Sequence, residues 1–303
     1  MITPDLESPR PPAGDGASDA ITCAFGDPRA DVYGVARLGL ADGAASGLVL
    51  LFHGGEPVAV SAEGGVAVPG GAGWEAVSAA GLDTAIVEPL RRWRLRYAGD
   101  EAAFDLDVEA LGEPAELDPG HPAARAGGMT GYEQLCRVRG SVTAGGRRLA
   151  VDGLGQRGHS WGAPDWEAMS VARSLSAWIG DDLAVTLTAV RPARADAHGR
   201  ELVAATILEA GAPAEGGERA AGVRPLPVGD PRLSTTYDAD GRQRHAGLEL
   251  WVDEDGHPRR VAGEAVCGTT LDLGRLRLDC AFFRWHMEGR EGVGRYDVLR
   301  RAS

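Results

Sequence analysis

The stretch GHSWG at 158–162 carries residues that could perform nucleophilic chemistry. It fits the pattern G-x-S-x-G, in which a serine on a sharp turn attacks a carbonyl group, so Ser160 would be the nucleophile. The stretch LFHGG at 51–55 could supply the oxyanion-binding amides of an esterase. Histidines that could complete the triad follow downstream at His245, His257 and His286.

The surroundings of this motif do not fit the strand, turn and helix that such a serine requires. The approach DGLGQR at 152–157 is polar and broken by glycine, whereas a central parallel strand is a continuous apolar run. No helix with a small-residue face follows Gly162. LFHGG is better explained as a strand, a turn at Gly54 and Gly55, and a new strand EPVAVSA. We therefore rank an α/β-hydrolase third among three hypotheses for the function, of which the first two are given below.

The same stretch holds residues suited to proton transfer. If it is extended, His159 and Trp161 point to one side of the strand and Ser160 to the other. A histidine paired with a carboxylate can move a proton near neutral pH. The candidate catalytic residues are His159, Asp165 and Glu133. The candidate substrate-binding residues are Arg157, Tyr132, Trp161, Trp166, Trp178 and Trp285.

Each candidate also has a structural interpretation, and the sequence leaves both open. His159 can be a hydrogen-bonded structural residue, and Asp165 can pair with Arg157 across a domain junction. Trp161 and Trp166 can belong to an apolar core. Around Trp285, charges of alternating sign predict an ion-pair network of Arg284, Glu288, Arg290 and Glu291.

Composition excludes several classes of chemistry. The 303 residues contain no lysine, so a Schiff-base lysine, a pyridoxal-phosphate lysine and a Walker A lysine are impossible. No two histidines have the spacing of metal ligands, so we expect no metal. The net charge of −13 argues against nucleic acid or an anionic membrane surface as a partner.

The location of the protein is also predicted from the sequence. No window approaches about eighteen uninterrupted apolar residues, so we expect no membrane span. The opening 20 residues lack a basic region followed by an apolar run, so we expect no signal peptide and interpret 1–20 as a flexible arm. Scattered cysteines indicate free thiols in a reducing cytoplasm: Cys23, Cys136, Cys267 and Cys280.

Short segments with period-two alternation recur along the chain and predict strands. In AAFDLDVEAL, residues 102–111, Phe104, Leu106 and Val108 fall on one face and acids on the other. CRVRGSV and RRLAVDG flank TAGG as a hairpin, and LELWV and RRVAGEAV flank DEDGHP as another. With 44 glycines and 18 prolines between short apolar segments, the sequence favours an all-β barrel or sandwich.

The run YEQLCRVRGSVTAGGRRLAVDGLGQRGHSWGAPDW, residues 132–166, resembles the signature of the carotenoid 1,2-hydratase/AttH-like group. Members of that group carry a block G-x-x-x-R-(D)-x-S-W-G-x-R-D-W after a strand hairpin. The resemblance implies two lipocalin-like antiparallel β-domains packed side by side. Here we set the N-terminal domain at 21–157 and the C-terminal domain at 158–303. The chain departs from the pattern at Gly158, where the family has an acid, and at Pro164, where it has an arginine.

This resemblance implies a function as well. Members hydrate, cyclise or rearrange isoprenoid-like apolar molecules without organic cofactors, and indole faces would stabilise a developing carbocation. Our first hypothesis is therefore a cofactor-independent lyase or isomerase with an apolar substrate in a β-barrel cavity. The second is a non-catalytic lipocalin-like carrier with the same cavity. The sequence predicts no oligomeric state.

Overall fold

The computed structural model describes residues 2–10, 14, 16–193, 201–211, 222–253 and 256–302. These residues form two antiparallel, barrel-like sheets, which confirms the predicted all-β fold of two lipocalin-like domains. Within the described part of the chain, no helix has the length and apolar character that crossing a membrane requires.

The chain divides into two compact units. The first comprises Met1–Glu116 and Met129–Pro164, and the second comprises Leu117–Gly128 and Asp165–Ser303. The sequence-based limits of 1–20, 21–157 and 158–303 remain predictions beside this division.

Among the described residues, the first sheet has eleven strands: β1 (Ser18–Asp27), β2 (Val32–Ala41), β3 (Ala44–His53), β4 (Glu56–Ala67), β5 (Ser78–Ala79), β6 (Leu82–Glu88), β7 (Arg92–Ala98), β8 (Ala102–Ala110), β9 (Ala115–Leu117), β10 (Met129–Ala144) and β11 (Arg147–Gly162). They are arranged in the order β4-β3-β2-β1-β11-β10-β8-β7-β6-β5, with β9 against β10. The 3-10 helices Pro4–Glu7 and Trp74–Ala76 accompany this sheet. Glu63 of β4 contacts the chain just after β5, since its carboxylate accepts the Ala80 amide at 2.6 Å.

In the part of the chain that the structure describes, the second sheet has nine strands: β12 (Met169–Gly180), β13 (Leu183–Pro192), β14 (Leu202–Ala210), β15 (Val223–Pro227), β16 (Asp230–Tyr237), β17 (Gln243–Trp251), β18 (Arg259–Asp272), β19 (Leu276–Met287) and β20 (Arg290–Arg301). They are arranged in the order β15-β14-β13-β12-β20-β19-β18-β17-β16. The short helix α1 (Pro122–Gly127) begins after His121, whose ring nitrogen accepts the Ala123 amide and caps the helix.

Alternation along the strands builds the apolar interior of each sheet. In β8, Phe104, Leu106 and Val108 are buried, while Asp105 of the other face binds Arg94 of β7. Burying one such apolar side chain contributes about 1.5–3 kcal/mol to folding. The half-buried strand predicted over AAFDLDVEAL is confirmed, and all four cysteines are buried and free, as expected.

The two motifs that suggested a hydrolase lie in antiparallel structure. LFHGG ends β3 and turns into β4, with His53 paired to Glu56 and with Gly54 and Gly55 at φ of 64° and 80°. That left-handed region favours glycine, so the predicted hairpin is confirmed. Ser160 lies inside β11, which continues to Gly162 without a turn into a helix. The α/β-hydrolase hypothesis is therefore wrong.

Candidate functional site

The candidate site lies on one face of the long β10–β11 hairpin. Arg157, His159 and Trp161 alternate along β11, and Tyr132 of β10 pairs directly with His159. The His159 and Trp161 ring centroids are 5.1 Å apart, which confirms that an extended strand places both on one side. The pairing works because both strands are long and their register is unbroken from Met129 to Ala144.

His159 is fully buried and hydrogen-bonded through both ring nitrogens. Its Nε2 lies 2.6 Å from Oδ1 of Asp19 on β1, and its Nδ1 lies 2.7 Å from the carbonyl oxygen of Leu6. A carbonyl oxygen can only accept, so Nδ1 carries a proton. A second hydrogen lies in the contact between Nε2 and the Asp19 carboxyl group, so the imidazole is held by hydrogen bonds on both sides.

Three aromatic rings surround the His159 imidazole. Trp74 lies at 5.7 Å between ring centroids, Tyr132 at 6.0 Å and Trp161 at 5.1 Å, all in edge-on arrangements. Such rings keep water from the pair, and hydrogen bonds strengthen electrostatically where water is excluded. The setting is therefore an apolar enclosure around a proton-transfer group.

A second buried polar cluster adjoins the first and is centred on Glu7. Its carboxylate lies 2.5 Å from Nη1 of Arg157, accepts the indole N–H of Trp93 at 2.7 Å, and accepts the hydroxyl of Tyr132. Tyr132 in turn accepts from Arg157 at 2.8 Å. The guanidinium carbon lies 4.1 Å from the Trp93 ring centroid, a cation–π contact. The carboxylate that pairs with Arg157 is thus Glu7.

Burial and charge fix the protonation states in this cluster. Burial raises the pKa of Tyr132 well above its ordinary value, so the hydroxyl stays protonated and donates. Burial lowers the pKa of Arg157, but Tyr132 and Glu7 more than offset this and leave the pKa raised. Burial also raises the pKa of Cys23, which pairs with Arg157 in register, to about 12. The Arg157 guanidinium therefore stays positively charged in this cluster.

The N-terminal segment, residues 2–10, supplies contacts to both clusters. Its 3-10 helix begins at Pro4, whose fixed φ suits the first helical position, and it presents Leu6 and Glu7 to the interior. Arg10 follows, with its amide donating to Oδ2 of Asp19 at 2.5 Å and its guanidinium 5.7 Å from the Trp161 ring. The sequence predicts a flexible arm over residues 1–20, and in the structure residues 2–10 of this arm have defined contacts.

The other predicted catalytic residues have different surroundings. Glu133 pairs with Gly158 on the face of β10 opposite Tyr132. Asp165 belongs to the second unit, is exposed, and accepts the amides of Glu167 and Ala168 in a local turn. Neither Glu133 nor Asp165 takes part in the hydrogen bonds of His159, which bind Leu6 and Asp19. Trp166 is half-buried in the second unit.

Trp178 and Trp285 lie inside the second unit. Trp285 stacks on Phe283 with centroids 5.1 Å apart, and Trp178 packs edge-on against Phe282 at 6.4 Å. Both tryptophans are fully buried. Of the ion-pair network predicted around Trp285, Arg284 pairs with Glu291. The other ion pairs join the predicted residues to partners outside that set: Arg284 with Glu264, Glu288 with Arg259, and Arg290 with Asp182.

The structure adds several residues to the site that the sequence-based candidates do not include. Asp19 shares the inward face of β1 with Ile21, Cys23 and Phe25, so an acid in an apolar alternation was the available signal. Trp93 alternates with arginines in WRLRY in the same way. No periodicity in the sequence points to the three remaining site residues, which are Leu6, Glu7 and Trp74.

The described residues also bear on metal binding. Among the described ranges, no group of three or more His, Cys, Asp or Glu side chains is arranged to hold a metal ion. The polar groups of the site are instead bound to one another.

Solved structures share the fold of this chain. A candidate AttH from Nitrosomonas europaea has a TM-score of 0.66 at 12% identity, covering 94% of this chain and 92% of that chain. Kievitone hydratase from Nectria haematococca has 0.64 at 14%, covering 99% and 93%. CghA, also solved with Sch210972, has 0.63 at 10%, covering 95% and 89%. The resemblance to the AttH-like group is confirmed at the level of the fold.

Sequence comparisons place the chain in a family. None of the curated proteins matches it significantly. A family model described as "Domain of unknown function (DUF7064)" matches residues 3–302. Because that match spans nearly the whole chain, the protein belongs to the DUF7064 family.

Proposed function

We propose that this protein is an enzyme of the hydratase or cyclase type, which transfers protons on an apolar, isoprenoid-like small molecule without an organic cofactor. The observation that carries the proposal is the buried contact of 2.6 Å between His159 and Asp19 inside an aromatic enclosure. A histidine–carboxylate pair of this kind can donate and recover a proton near neutral pH.

The proposed reaction balances without a redox partner. The pair gives one proton to a carbon of a C=C bond, and the adjacent carbon becomes a carbocation. Water adds to that cation in a hydratase, and its surplus proton returns to the pair. In a cyclase a second C=C bond attacks instead, which moves the positive charge to another carbon, and a C–H bond beside that carbon then gives its proton back to the pair. Both routes leave the protein unchanged.

The residues have separate roles in this proposal. His159 transfers the proton, and Asp19 replaces Asp165 as its carboxylate partner. The rings of Trp74, Trp161 and Tyr132 stabilise the cation, since aromatic faces attract positive charge. Four residues predicted from the sequence have no role here: Glu133, Trp166, Trp178 and Trp285.

The comparisons support the reaction class in general terms. Kievitone hydratase is named for a hydration reaction and has this fold. Four free, buried cysteines support our proposal of a cytoplasmic location, since a reducing compartment keeps thiols free.

The test is turnover of a defined set of molecules. Acyclic terpenoid alkenes and the matching tertiary alcohols are incubated with the protein, and products are followed by liquid chromatography with mass spectrometry. We expect product with the wild type and with His286→Gln, an exposed histidine of the second unit, and none with His159→Gln. Equal turnover by His159→Gln would contradict the proposal. Binding of a terpenoid without product in any variant would favour the carrier hypothesis.

A further inference from the structure

Arg157 requires an anion beside it. Its side chain is 2% exposed, and an uncompensated charge at that depth is strongly destabilising. Glu7, also 2% exposed, is the carboxylate in contact with it. That carboxylate comes from the N-terminal segment, whereas Arg157 belongs to the body of the sheet on β11.

The donors around Glu7 form a cradle shaped for a carboxylate. Arg157 and the Tyr132 hydroxyl converge on one oxygen, and the Trp93 indole N–H binds the other at 2.7 Å. These three donors lie on β11, β10 and β7, so the sheet holds them in place without help from the segment. Together they would bind any carboxylate that reached them.

The same segment also blocks His159. The Leu6 carbonyl occupies Nδ1, the Arg10 amide contacts Asp19, and the imidazole is fully buried. A substrate that reaches His159 must therefore displace the segment, and Glu7 would leave Arg157 with it. The buried guanidinium would then need another anion.

We propose that the substrate supplies this anion: Arg157, Tyr132 and Trp93 form a subsite for a carboxylate group of an otherwise apolar substrate, and Glu7 occupies it until the substrate binds. This inference rests on the proposed function for the identity of the occupant. The Tyr132 and His159 rings are 6.0 Å apart, so the carboxylate would lie a few bonds from the carbon that receives the proton.

The test uses matched probes on a variant with an empty cradle. Glu7→Ala is titrated with hexanoate and with hexan-1-ol, which share a tail and differ in charge, and binding is followed by tryptophan fluorescence and melting temperature. We expect hexanoate to bind roughly tenfold more tightly than the alcohol, because charge-assisted hydrogen bonds are strong. Asp5→Ala, which removes an exposed acid of the same segment and leaves Glu7 in the cradle, should bind hexanoate more weakly than Glu7→Ala does.

A double variant assigns the preference to Arg157. In Glu7→Ala with Arg157→Met, hexanoate and hexan-1-ol should bind within about twofold of each other. Glu7→Gln, which keeps the side-chain shape, provides a second background should Glu7→Ala fold poorly. Equal binding of the two probes to both Glu7 variants, or a hexanoate preference that survives Arg157→Met, would overturn the inference.

The outcome is separable from that of the proposed function. Probe binding is read without turnover, so a carboxylate preference in a protein that converts nothing would retain the subsite and remove the enzyme. Turnover of neutral terpenoids with no carboxylate preference would retain the enzyme and remove the subsite.

Discussion

His159 and Asp19 meet diagonally across two neighbouring antiparallel strands, with Nε2 of the histidine 2.6 Å from Oδ1 of the aspartate. In the register of β1 and β11, Ile21 pairs with His159 and Asp19 pairs with Trp161. Residues diagonal to each other on one face of a sheet are within reach of long side chains. The site therefore depends on the β1–β11 register, since a slip of one residue would turn Asp19 to the other face.

Asp19→Asn should destabilise the protein. The substitution keeps the side-chain shape but replaces the carboxyl group that binds both His159 and the Arg10 amide. We expect a loss of about 1–3 kcal/mol in the free energy of unfolding, measured by urea denaturation. Asp83→Asn, at an exposed position of β6, is the control and should change little. Equal stability of the two variants would show that the Asp19 contacts contribute nothing.

Substitutions of Glu7 and Arg157 should lower the free energy of unfolding by unequal and coupled amounts. Glu7→Gln leaves a buried guanidinium without its anion and should cost roughly 3 kcal/mol. Arg157→Met should cost less, because Glu7 lies on the N-terminal segment and can move into water. The double variant should be less destabilised than the sum of the single variants. A double-mutant cycle in urea measures the coupling, and strict additivity would refute it.

Two glycines of β11 should tolerate alanine differently. A Cβ at Gly155 would lie 2.4 Å from the Ala24 carbonyl oxygen and 2.8 Å from Val138, so backbone or core must shift. A Cβ at Gly158 would lie 3.3 Å or more from the nearest neighbouring atom. We expect Gly155→Ala to cost about 1–3 kcal/mol and Gly158→Ala to stay within about 1 kcal/mol. Melting temperatures of the two variants check this order, and its reversal would contradict the packing.

Stability should fall at high pH in part through Cys23. Burial raises the pKa of this thiol from 9.0 to about 12, so the native state keeps a proton that the unfolded chain releases. The contribution of the protonated Cys23 thiol to the free energy of unfolding is fully present below about pH 9 and is lost as the pH rises toward 12. The slope for one such proton is about 1.4 kcal/mol per pH unit. Cys23→Ala should flatten the decline measured by denaturation, and an unchanged slope would contradict the assignment.

Much of the fold follows from local patterns in the sequence. Alternation predicted the faces of β8, and the LFHGG hairpin followed from two glycines that adopt positive φ. Such patterns are decided within a few residues, so they can be read without the tertiary structure. The extended character of β11 placed His159 and Trp161 on one face for the same reason.

The partners of His159 could not be predicted in the same way. Asp19 reaches it only through the β1–β11 pairing, which joins residues 140 positions apart. Leu6 and Glu7 come from a segment with no periodicity, so composition suggested a flexible arm. Asp165 is close to His159 in sequence, but its carboxylate binds the amides of its own turn. Long-range pairing, which one sequence does not encode visibly, decides these contacts.

Proton transfer by His159 to carbon is the central claim, and solvent isotope incorporation tests it most directly. Terpenoid alkenes and alcohols are incubated with the protein in D2O, and deuterium at carbon is measured by mass spectrometry. Wild-type protein should place deuterium at one carbon of the reacting C=C bond, and His159→Gln should not. Product formed without deuterium at carbon, or the same incorporation by His159→Gln, would contradict the account.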